Sequence, residues 1–400
     1  MTSVRRLRIL VVTLGRHGGV TEYGWLMTRA LTRHADVAVI YSSFADNRDK
    51  WAALDCRQLE VRTISGRVSL LLSFLAFARF ARIRRFSREF RPDVVYYPGG
   101  HVWKPLLDVL LPRSAATVVT VHDPHLHLGE DSLGFRLLGW ANRRRVTGYV
   151  LLNQSQHADF VARFGLDHSQ VIVIPHGVFD DYSSASDKAP DITALTGIGV
   201  SDLGRYLLFV GRIRRYKGVD TLLTAYTMLA PEEAGPLVIA GSGNLTDSEK
   251  ERLHTLNGRP VYFVNNWLSD AEIAALVSSA RFVVLPYHSA TQSGVIPLAS
   301  AFGIPAIASA TDGLVEQVVD GKTGLLFPPG EAGALRALLA RAYAMGDDEY
   351  GEMSRECREH ASTNWGWARL SIQLVRFFES LGGAVADRPP TTGDTFRGGA

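Results

Sequence analysis

A basic, glycine-containing segment in the second half of the chain has the residue types that bind a diphosphate. In Phe209–Gly218, Gly211 directly follows an apolar run, and Arg212 and Lys217 come after it. A glycine turn exposes backbone N–H groups, an arginine binds two phosphate oxygens at once, and a lysine supplies a compact positive charge. The segment therefore predicts a diphosphate-binding loop, with a solvated basic loop as the alternative.

A second candidate, Pro286–Ile296, places hydroxyl residues and a glycine between an apolar run and a helical pattern. The first turn of a helix exposes N–H groups and the positive end of the helix dipole. The N–H groups of Ser293, Gly294 and Val295 are therefore predicted to bind phosphate. The alternative is an ordinary helix cap formed by one of the hydroxyl side chains. Two such segments in one half of the chain favour phosphate binding.

His122 and Asp123 begin a third candidate, the segment His122–His127, which contains three histidines and one aspartate. An aspartate beside a histidine can orient the imidazole ring or bind a hydroxyl group. The same residue types also ligate metal ions, and a purely structural histidine is a further alternative. Because Arg212 and Lys217 already supply charge for a diphosphate, the sequence favours a site without a metal.

The elements that position these residues follow a regular alternation in the first half of the chain. Short apolar runs predict strands at Arg8–Thr13, Val37–Tyr41, Val94–Tyr97, Thr117–His122, Gly148–Leu152 and Val171–Ile174. Amphipathic runs between them predict helices at Thr21–Arg33, Leu70–Phe90 and Gln156–Phe164. Strands that are apolar on both faces and separated by helices indicate a parallel sheet covered on both sides.

The alternation stops at residues 179–204, which are polar and turn-rich and predict a linker. It then resumes. Strands are predicted at Arg205–Val210, Leu237–Ala240, Val261–Val264, Phe282–Leu285 and Ala306–Ser309. Helices are predicted at Asp220–Leu229, Asp270–Ser278, Ile296–Phe302 and Gly313–Val319, with a final one from about residue 366 to Leu381.

This pattern predicts an α/β fold with two Rossmann-like, doubly wound domains that face each other across a cleft. The domains are assigned to residues 1–178 and 205–365. Helix 366–382 is expected to pack back on the first domain, and residues 383–400 to form a disordered tail.

Composition restricts the class of protein. The chain has 400 residues, 46% hydrophobic and 21% charged, and a net charge of +3, which suits a globular protein and does not favour nucleic acid. Two isolated cysteines suggest neither a disulfide framework nor a zinc motif. The short apolar N-terminal run has no cleavage signal, and no run is long enough to span a bilayer. A cytoplasmic protein is expected.

Two long segments resemble the donor-binding domain of the family-4 retaining glycosyltransferases, which have the GT-B fold. They are VGRIRRYKGVDTLLTAY and TQSGVIPLASAFGIPAIASATDGLVEQVVDGKTGLLFPPG. The turn Gly18-Gly19, the run Val121–Asp123 and the run Ile174–Val178 match the layout of the same family in order and spacing. The resemblance covers roughly residues 5 to 380.

The resemblance implies roles for these residues in transfer from a nucleotide sugar. Arg212, Lys217 and the backbone at Ser293–Val295 would hold the donor diphosphate. Gly18 and Gly19 would approach the phosphates or the sugar from the first domain. His122 would bond the donor sugar, and no cofactor other than the nucleoside diphosphate sugar is implied.

One departure from the family concerns two glutamates eight positions apart, which usually contact the sugar and the nucleotide ribose. Their positions here hold Ala290 and Leu298. Neither side chain can bond a hydroxyl group. Gln292 becomes the candidate for the sugar contact, and Glu316 a candidate for the nucleotide side.

Other functions share parts of this pattern. A nucleotide-sugar epimerase has a similar architecture, although paired carboxylates for proton abstraction are not evident. A dinucleotide-dependent oxidoreductase would carry G-x-G-x-x-G after the first strand, which GRHGGVTEYG does not. A non-catalytic sugar-nucleotide-binding protein stays open because of Ala290 and Leu298. The favoured function is sugar transfer to a glycan, lipid-linked or small-molecule hydroxyl acceptor.

The segment Leu70–Arg91 is apolar at first and then rich in arginine. A basic amphipathic helix can lie on an anionic membrane, so a peripheral location on the inner face of the membrane is one interpretation. The other is a domain helix that packs on the sheet and exposes a basic face.

Overall fold

The computed structural model describes residues 5–63, 77–122, 145–179, 190–199, 206–256 and 258–386, with side chains described up to residue 381. Asp123 and the rest of the segment to His127 lie outside the described residues, as do residues 64–76 and the tail beyond residue 386.

The first domain is built on a parallel sheet of seven strands in the order β3-β2-β1-β4-β5-β6-β7. The strands are β1 (Arg8–Thr13), β2 (Asp36–Ser42), β3 (Arg57–Val61), β4 (Val94–Tyr97), β5 (Ala116–Val121), β6 (Gly148–Leu151) and β7 (Val171–Val173). The helices are α1 (Gly19–Leu31), α2 (Arg48–Ala52), α3 (Phe77–Phe90), α4 (Lys104–Leu110) and α5 (His157–Phe164).

Both faces of this sheet are buried. Val11 and Val39 point to the face covered by α1, whereas Leu10 and Ala38 point to the opposite face, where Ile83 of α3 packs. This two-sided burial explains why the strand sequences are apolar throughout instead of alternating.

The second domain repeats the arrangement with six parallel strands in the order β10-β9-β8-β11-β12-β13. The strands are β8 (Leu207–Val210), β9 (Leu237–Ala240), β10 (Val261–Val264), β11 (Phe282–Leu285), β12 (Ala306–Ser309) and β13 (Gly324–Phe327). The helices are α6 (Ile192–Thr196), α7 (Val219–Thr227), α8 (Asp247–Thr255), α9 (Asp270–Ser278), α10 (Val295–Ala301), α11 (Ala332–Ala344) and α12 (Asp347–Trp365). The last helix of the chain is α13 (Trp367–Ala386).

The chain leaves the first domain after β7 and returns to it through α13, which packs on α1 and β5. The segment after β7 and the start of α13, which we call the two crossings, are hydrogen-bonded to each other. The Val178 N–H donates to the Trp365 carbonyl over 3.0 Å, and the Trp367 indole N–H donates to the Val178 carbonyl over 2.5 Å. A Cβ on Gly177 would lie 2.4 Å from the Trp367 ring, so the crossings touch closely.

The strand predictions agree with the structure to within about two residues, but β3 and β13 were not predicted. The predicted helix Gly313–Val319 is wrong, because the segment forms hydrogen-bonded turns. Gly313 is pressed against the main chain of Thr291, where a Cβ would lie 2.0 Å from the Thr291 oxygen. Only a glycine fits at this position. Part of the predicted linker forms α6, which packs on β10 and α9.

Within the described ranges, no helix combines the length and the apolarity that crossing a bilayer requires. The described part of Leu70–Arg91 is α3, which buries Phe80, Ile83 and Phe90 in the first domain. The start of that segment lies in the stretch that is not described.

Candidate active site

A cleft of about 830 Å³ lies between the two domains, at the carboxyl ends of both sheets. In doubly wound folds this is where ligands bind. The first domain lines it with His17, Gly18, Gly19, Val20, Thr21, Glu22, Asp46 and Asn47. The second domain contributes, among others, Gly211, Arg212, Lys217, Trp267, Tyr287, Ala290, Gln292, Ser293, Gly294, Val295 and Leu298.

The glycine turn after β1 opens directly onto this cleft. Gly18 has φ of +82°, in the left-handed region that favours glycine, and its carbonyl accepts the Thr21 N–H over 3.0 Å. A Cβ at Gly18 or Gly19 would have no neighbour within 4 Å. The main chain of the turn is therefore accessible from the cleft.

The first-domain wall of the cleft also carries a polar cluster that sequence analysis missed. The buried carboxylate of Glu22 accepts hydrogen bonds from Lys50 over 2.7 Å and from Asn47 over 3.0 Å. Nearby, His17 pairs with Asp46 over 2.7 Å. The partners are more than 20 residues apart in the chain, so no local spacing signals the cluster.

Lys217 lies where two loops of the second domain meet. We call residues 211–218 the β8 loop and residues 286–294 the β11 loop. The Lys217 ammonium donates to the Tyr287 hydroxyl over 2.9 Å. A Cβ on Gly218, which has φ of +65°, would lie 1.8 Å from the Pro286 oxygen. Only glycine permits this approach, so it fixes the position of Lys217 next to the β11 loop.

Arg212 occupies the rim of the cleft with two aromatic residues. Its guanidinium carbon lies 5.4 Å from the centre of the Trp267 ring, within the range of a cation–π contact. The same ring meets the His17 ring of the first domain edge-on at 6.1 Å. Trp267 is 56% exposed and contacts both domains, and no local sequence pattern marks it as a site residue.

The β11 loop differs from the prediction in its hydrogen bonding. The Ser293 N–H donates to the Gln317 side chain over 2.8 Å, and the Val295 N–H donates to the Ser293 hydroxyl over 3.2 Å. The prediction that these two N–H groups are available for phosphate is therefore wrong, since each already has a partner. Of the three, Gly294 N–H has no partner among the described residues.

Ala290 and Leu298, where the family resemblance implies two glutamates, form an apolar part of the cleft. Ala290 is 6% exposed and Leu298 is 5% exposed, and both line the cleft. Beside them, the Gln292 amide oxygen is buried and has no hydrogen-bond partner among the described residues. An unsatisfied buried acceptor that lines a cleft is suited to receive a ligand hydroxyl.

His122 lies just behind the cleft wall. Its Nε2 is 2.7 Å from the Pro98 carbonyl oxygen. A carbonyl only accepts, so Nε2 carries the proton. The Thr291 hydroxyl donates to the His122 carbonyl over 3.4 Å. Thr291 lines the cleft, so His122 lies behind it.

His176 lies in an aromatic cluster on the first-domain side of the crossing. Its ring stacks on Phe179 at 5.0 Å and contacts Tyr23 at 5.3 Å. Burial lowers the pKa of His176 from 6.5 to about 4, and the neighbouring His122 adds to the effect. His176 is therefore neutral near pH 7.

Glu316 does not line the cleft. Its carboxylate accepts the N–H groups of Gln154 and Ser155 in the first domain, each over 2.6 Å. The predicted contact with the nucleotide is not supported, because both carboxylate oxygens face the main chain of the other domain.

The sequence matches two family models and several known proteins, and both models describe glycosyltransferases. The model of the glycosyl transferases group 1 matches residues 199–363, and that of glycosyltransferase family 4 matches residues 17–182. D-inositol 3-phosphate glycosyltransferase 2 of Catenulispora acidiphila is 31% identical over 314 residues, covering 70% of this chain and 71% of the relative. The chain belongs to the family-4 glycosyltransferases. The alpha-maltose-1-phosphate synthase of Mycolicibacterium smegmatis is 26% identical over 265 residues, or 62% of this chain and 67% of that enzyme.

Solved structures place this family-4 glycosyltransferase in the GT-B fold. Anabaena HepE in complex with UDP and glucose has a TM-score of 0.70 and 17% identity, covering 94% of this chain and 100% of that one. A glycosyltransferase from Rickettsia africae has a TM-score of 0.72 and 16% identity, covering 94% and 98%. The protein is a glycosyltransferase with the GT-B fold.

Proposed function

We propose that this family-4 glycosyltransferase transfers a hexose unit from a UDP-sugar to a hydroxyl acceptor, with retention of anomeric configuration and without a metal ion. The uridine nucleotide is suggested by HepE, which has been solved with UDP and with UDP-glucose. Retention follows the family resemblance.

The observation that carries the proposal is the position of Lys217. Its ammonium group is held by Tyr287 at the junction of the β8 and β11 loops, on the wall of the cleft. Arg212 lines the same wall from the β8 loop. The two cations there stabilise the negative charge that develops on a departing diphosphate, and the bond to Tyr287 holds Lys217 in place before the reaction. The same charge is what a metal ion would otherwise neutralise.

The reaction breaks the bond between the anomeric carbon and the diphosphate oxygen and forms one to the acceptor oxygen. The acceptor proton passes to the departing phosphate oxygen, so no carboxylate nucleophile is required. Gln292 would accept a donor sugar hydroxyl, and His122 would position the cleft wall through Thr291. Asp123 would bind the acceptor hydroxyl.

The acceptor would lie against the first-domain wall, next to Gly18, Gly19 and Thr21. The Thr21 hydroxyl is buried without a hydrogen-bond partner among the described residues. A hydroxyl in this state can donate to or accept from an acceptor hydroxyl. A hydroxyl acceptor agrees with the name of the inositol phosphate glycosyltransferases that this chain resembles.

Peripheral binding to an anionic membrane is part of the proposal. Helix α3 buries its apolar stripe and exposes Arg82, Arg84, Arg85 and Arg88. Phe77 at the start of the helix is 76% exposed. Basic residues near an anionic surface contribute about 1 kcal/mol each, and an exposed aromatic side chain adds apolar contact.

A thermal-shift panel of UDP, GDP, ADP and TDP and their sugar conjugates, with and without EDTA, tests the donor and the metal. A ligand at about 100 times its dissociation constant stabilises by about 2.7 kcal/mol, which corresponds to a rise of a few degrees. The expected result is a shift with UDP that EDTA leaves unchanged. A shift abolished by EDTA would contradict metal independence, and no shift with any nucleotide would contradict the proposed donor site.

A further inference from the structure

Two neighbouring side chains, Glu316 and Gln317, connect the β11 loop to the first domain. They lie at the end of the turn that follows β12, residues 311–317, which we call the β12 turn. Gln317 faces the β11 loop, and Glu316 faces the other domain. The two contacts differ in burial, and this difference decides their roles.

The contact between Gln317 and Ser293 is buried and consists of two hydrogen bonds. The Gln317 amide oxygen accepts the Ser293 N–H over 2.8 Å, and its amide nitrogen donates to the Ser293 carbonyl over 3.0 Å. Gln317 is 8% exposed and Ser293 is 5% exposed. Breaking this pair would leave polar groups buried without partners, so the β11 loop and the β12 turn move together.

The contact between Glu316 and the first domain is exposed. Each Glu316 carboxylate oxygen accepts one main-chain N–H, from Gln154 and from Ser155, over 2.6 Å. Charge-assisted bonds of this kind are stronger than neutral ones. Because Glu316 is exposed, the carboxylate and both N–H groups can return to water when the domains separate. The contact is therefore reversible.

The same first-domain turn holds the β11 loop at a second point. The side chain of Asn153 donates to the Thr291 carbonyl, and its amide oxygen accepts the Gln156 N–H over 3.2 Å. Asn153 is 4% exposed. Ser293 is thus linked to the first domain on one side through Thr291 and on the other through Gln317 and Glu316.

We propose that Glu316 and Gln317 are positioning residues that couple domain closure to the geometry of the β11 loop. Closure brings the Gln154–Ser155 main chain onto Glu316, and Gln317 transmits this position to Ser293 and to Gly294 beside it. The inference rests on the proposed donor site, which contains these loop residues. Neither Glu316 nor Gln317 touches the substrate in this role.

Two variants and one control separate the two halves of the coupling. Glu316→Gln keeps the size of the side chain, but its amide accepts at only one oxygen and opposes the second N–H. Gln317→Leu removes both contacts to Ser293. Glu352→Gln changes an exposed glutamate on α12 whose salt-bridge partner is Arg355 of the same helix. The measurements are the radius of gyration without ligand, the Kd for UDP, kcat and KM, and the Tm.

Glu316→Gln is expected to increase the radius of gyration, to weaken UDP binding by about tenfold and to lower kcat, with a Tm within about 2 °C of wild type. Gln317→Leu is expected to weaken UDP binding to a similar degree without changing the radius of gyration. The control should match wild type.

An unchanged radius of gyration and an unchanged UDP affinity in Glu316→Gln would overturn the proposal. A lower Tm as the sole effect would overturn it as well, since a purely structural contact behaves that way. If the wild-type protein binds no nucleoside diphosphate, the proposed function fails. The comparison of the radius of gyration without ligand would still test the contact of Glu316 with the first domain.

Discussion

The Lys217 ammonium donates a 2.9 Å hydrogen bond to the Tyr287 hydroxyl and so joins the β8 loop to the β11 loop. Tyr287 is only 2% exposed, which fixes its hydroxyl in place. The cation is therefore oriented before any ligand arrives. Orientation in advance is what makes a charge effective in stabilising a transition state.

Lys217→Ala should lower kcat/KM by about a hundredfold, on the order of 3 kcal/mol, because the departing diphosphate loses a fixed cation. Tyr287→Phe should give a smaller loss, since the ammonium remains but is no longer held. Lys322→Ala, at an exposed lysine in the turn before β13, is the control. Steady-state kinetics with the donor identified by thermal shift measures all three. A loss below about fivefold for Lys217→Ala would remove Lys217 from this role.

Trp267→Ala should raise the KM for the donor by about tenfold with a nearly unchanged Tm. The side chain is 56% exposed, so little core packing is lost. The variant does lose the contacts to Arg212 and His17 at the rim of the cleft. Met228→Ala, at another exposed apolar residue, controls for the loss of surface. Equal KM values for Trp267→Ala and wild type would show that the rim does not contact the donor.

Stability should decrease as the pH falls from about 6.5 towards 4, because His176 stays neutral in the folded protein. Between these values the unfolded chain binds the proton and the folded chain does not, which lowers the free energy of unfolding by up to about 3 kcal/mol. His101, whose pKa burial also lowers to about 4, acts in the same direction.

Urea unfolding at pH 5 and pH 7 measures this dependence. His176→Phe keeps an aromatic ring against Phe179 and should reduce the difference between the two midpoints without abolishing it. His254→Gln, at an exposed histidine on α8, should leave the difference unchanged. An unaltered difference in His176→Phe would show that His176 titrates normally.

Vesicles containing anionic lipid should co-sediment the wild-type protein, and the triple variant Arg82→Glu, Arg84→Glu, Arg85→Glu should stay in the supernatant. The reversal of three exposed charges on α3 turns attraction into repulsion. Arg355→Glu on α12 tests whether one charge reversal away from α3 also weakens binding. Neutral vesicles should bind neither protein. Absence of wild-type binding to anionic vesicles would remove the membrane from the proposal.

The sequence predicted much of the fold because the signals were local. Strands such as β1 and β4 are apolar on both faces and matched in their bounds. The cleft also brings together the predicted Gly18, Arg212, Lys217 and Gln292. Several of the failures involve contacts between residues far apart in the sequence. The local sequence around Gly313 predicts a helix and gives no sign of its close contact with the main chain of Thr291.

The roles of Glu316 and Ser293 could not be predicted for the same reason. Glu316 binds main-chain groups about 160 residues away in the sequence, which no motif around it records. The local sequence predicts a free N–H at Ser293, but this group donates a hydrogen bond to Gln317, 24 residues away. Trp267 stands alone in a polar stretch without periodicity, and only the approach of the two domains reveals its position.

The mutual bonding of the two interdomain crossings has a mechanical consequence. The hydrogen bond between Val178 and Trp367 joins the two interdomain segments at one place, which acts as a hinge. A pair of separated tethers would let the domains slide or twist, whereas tethers joined at a point leave one main axis of rotation. We therefore expect the donor, carried by one domain, to approach the acceptor, carried by the other, along one reproducible arc.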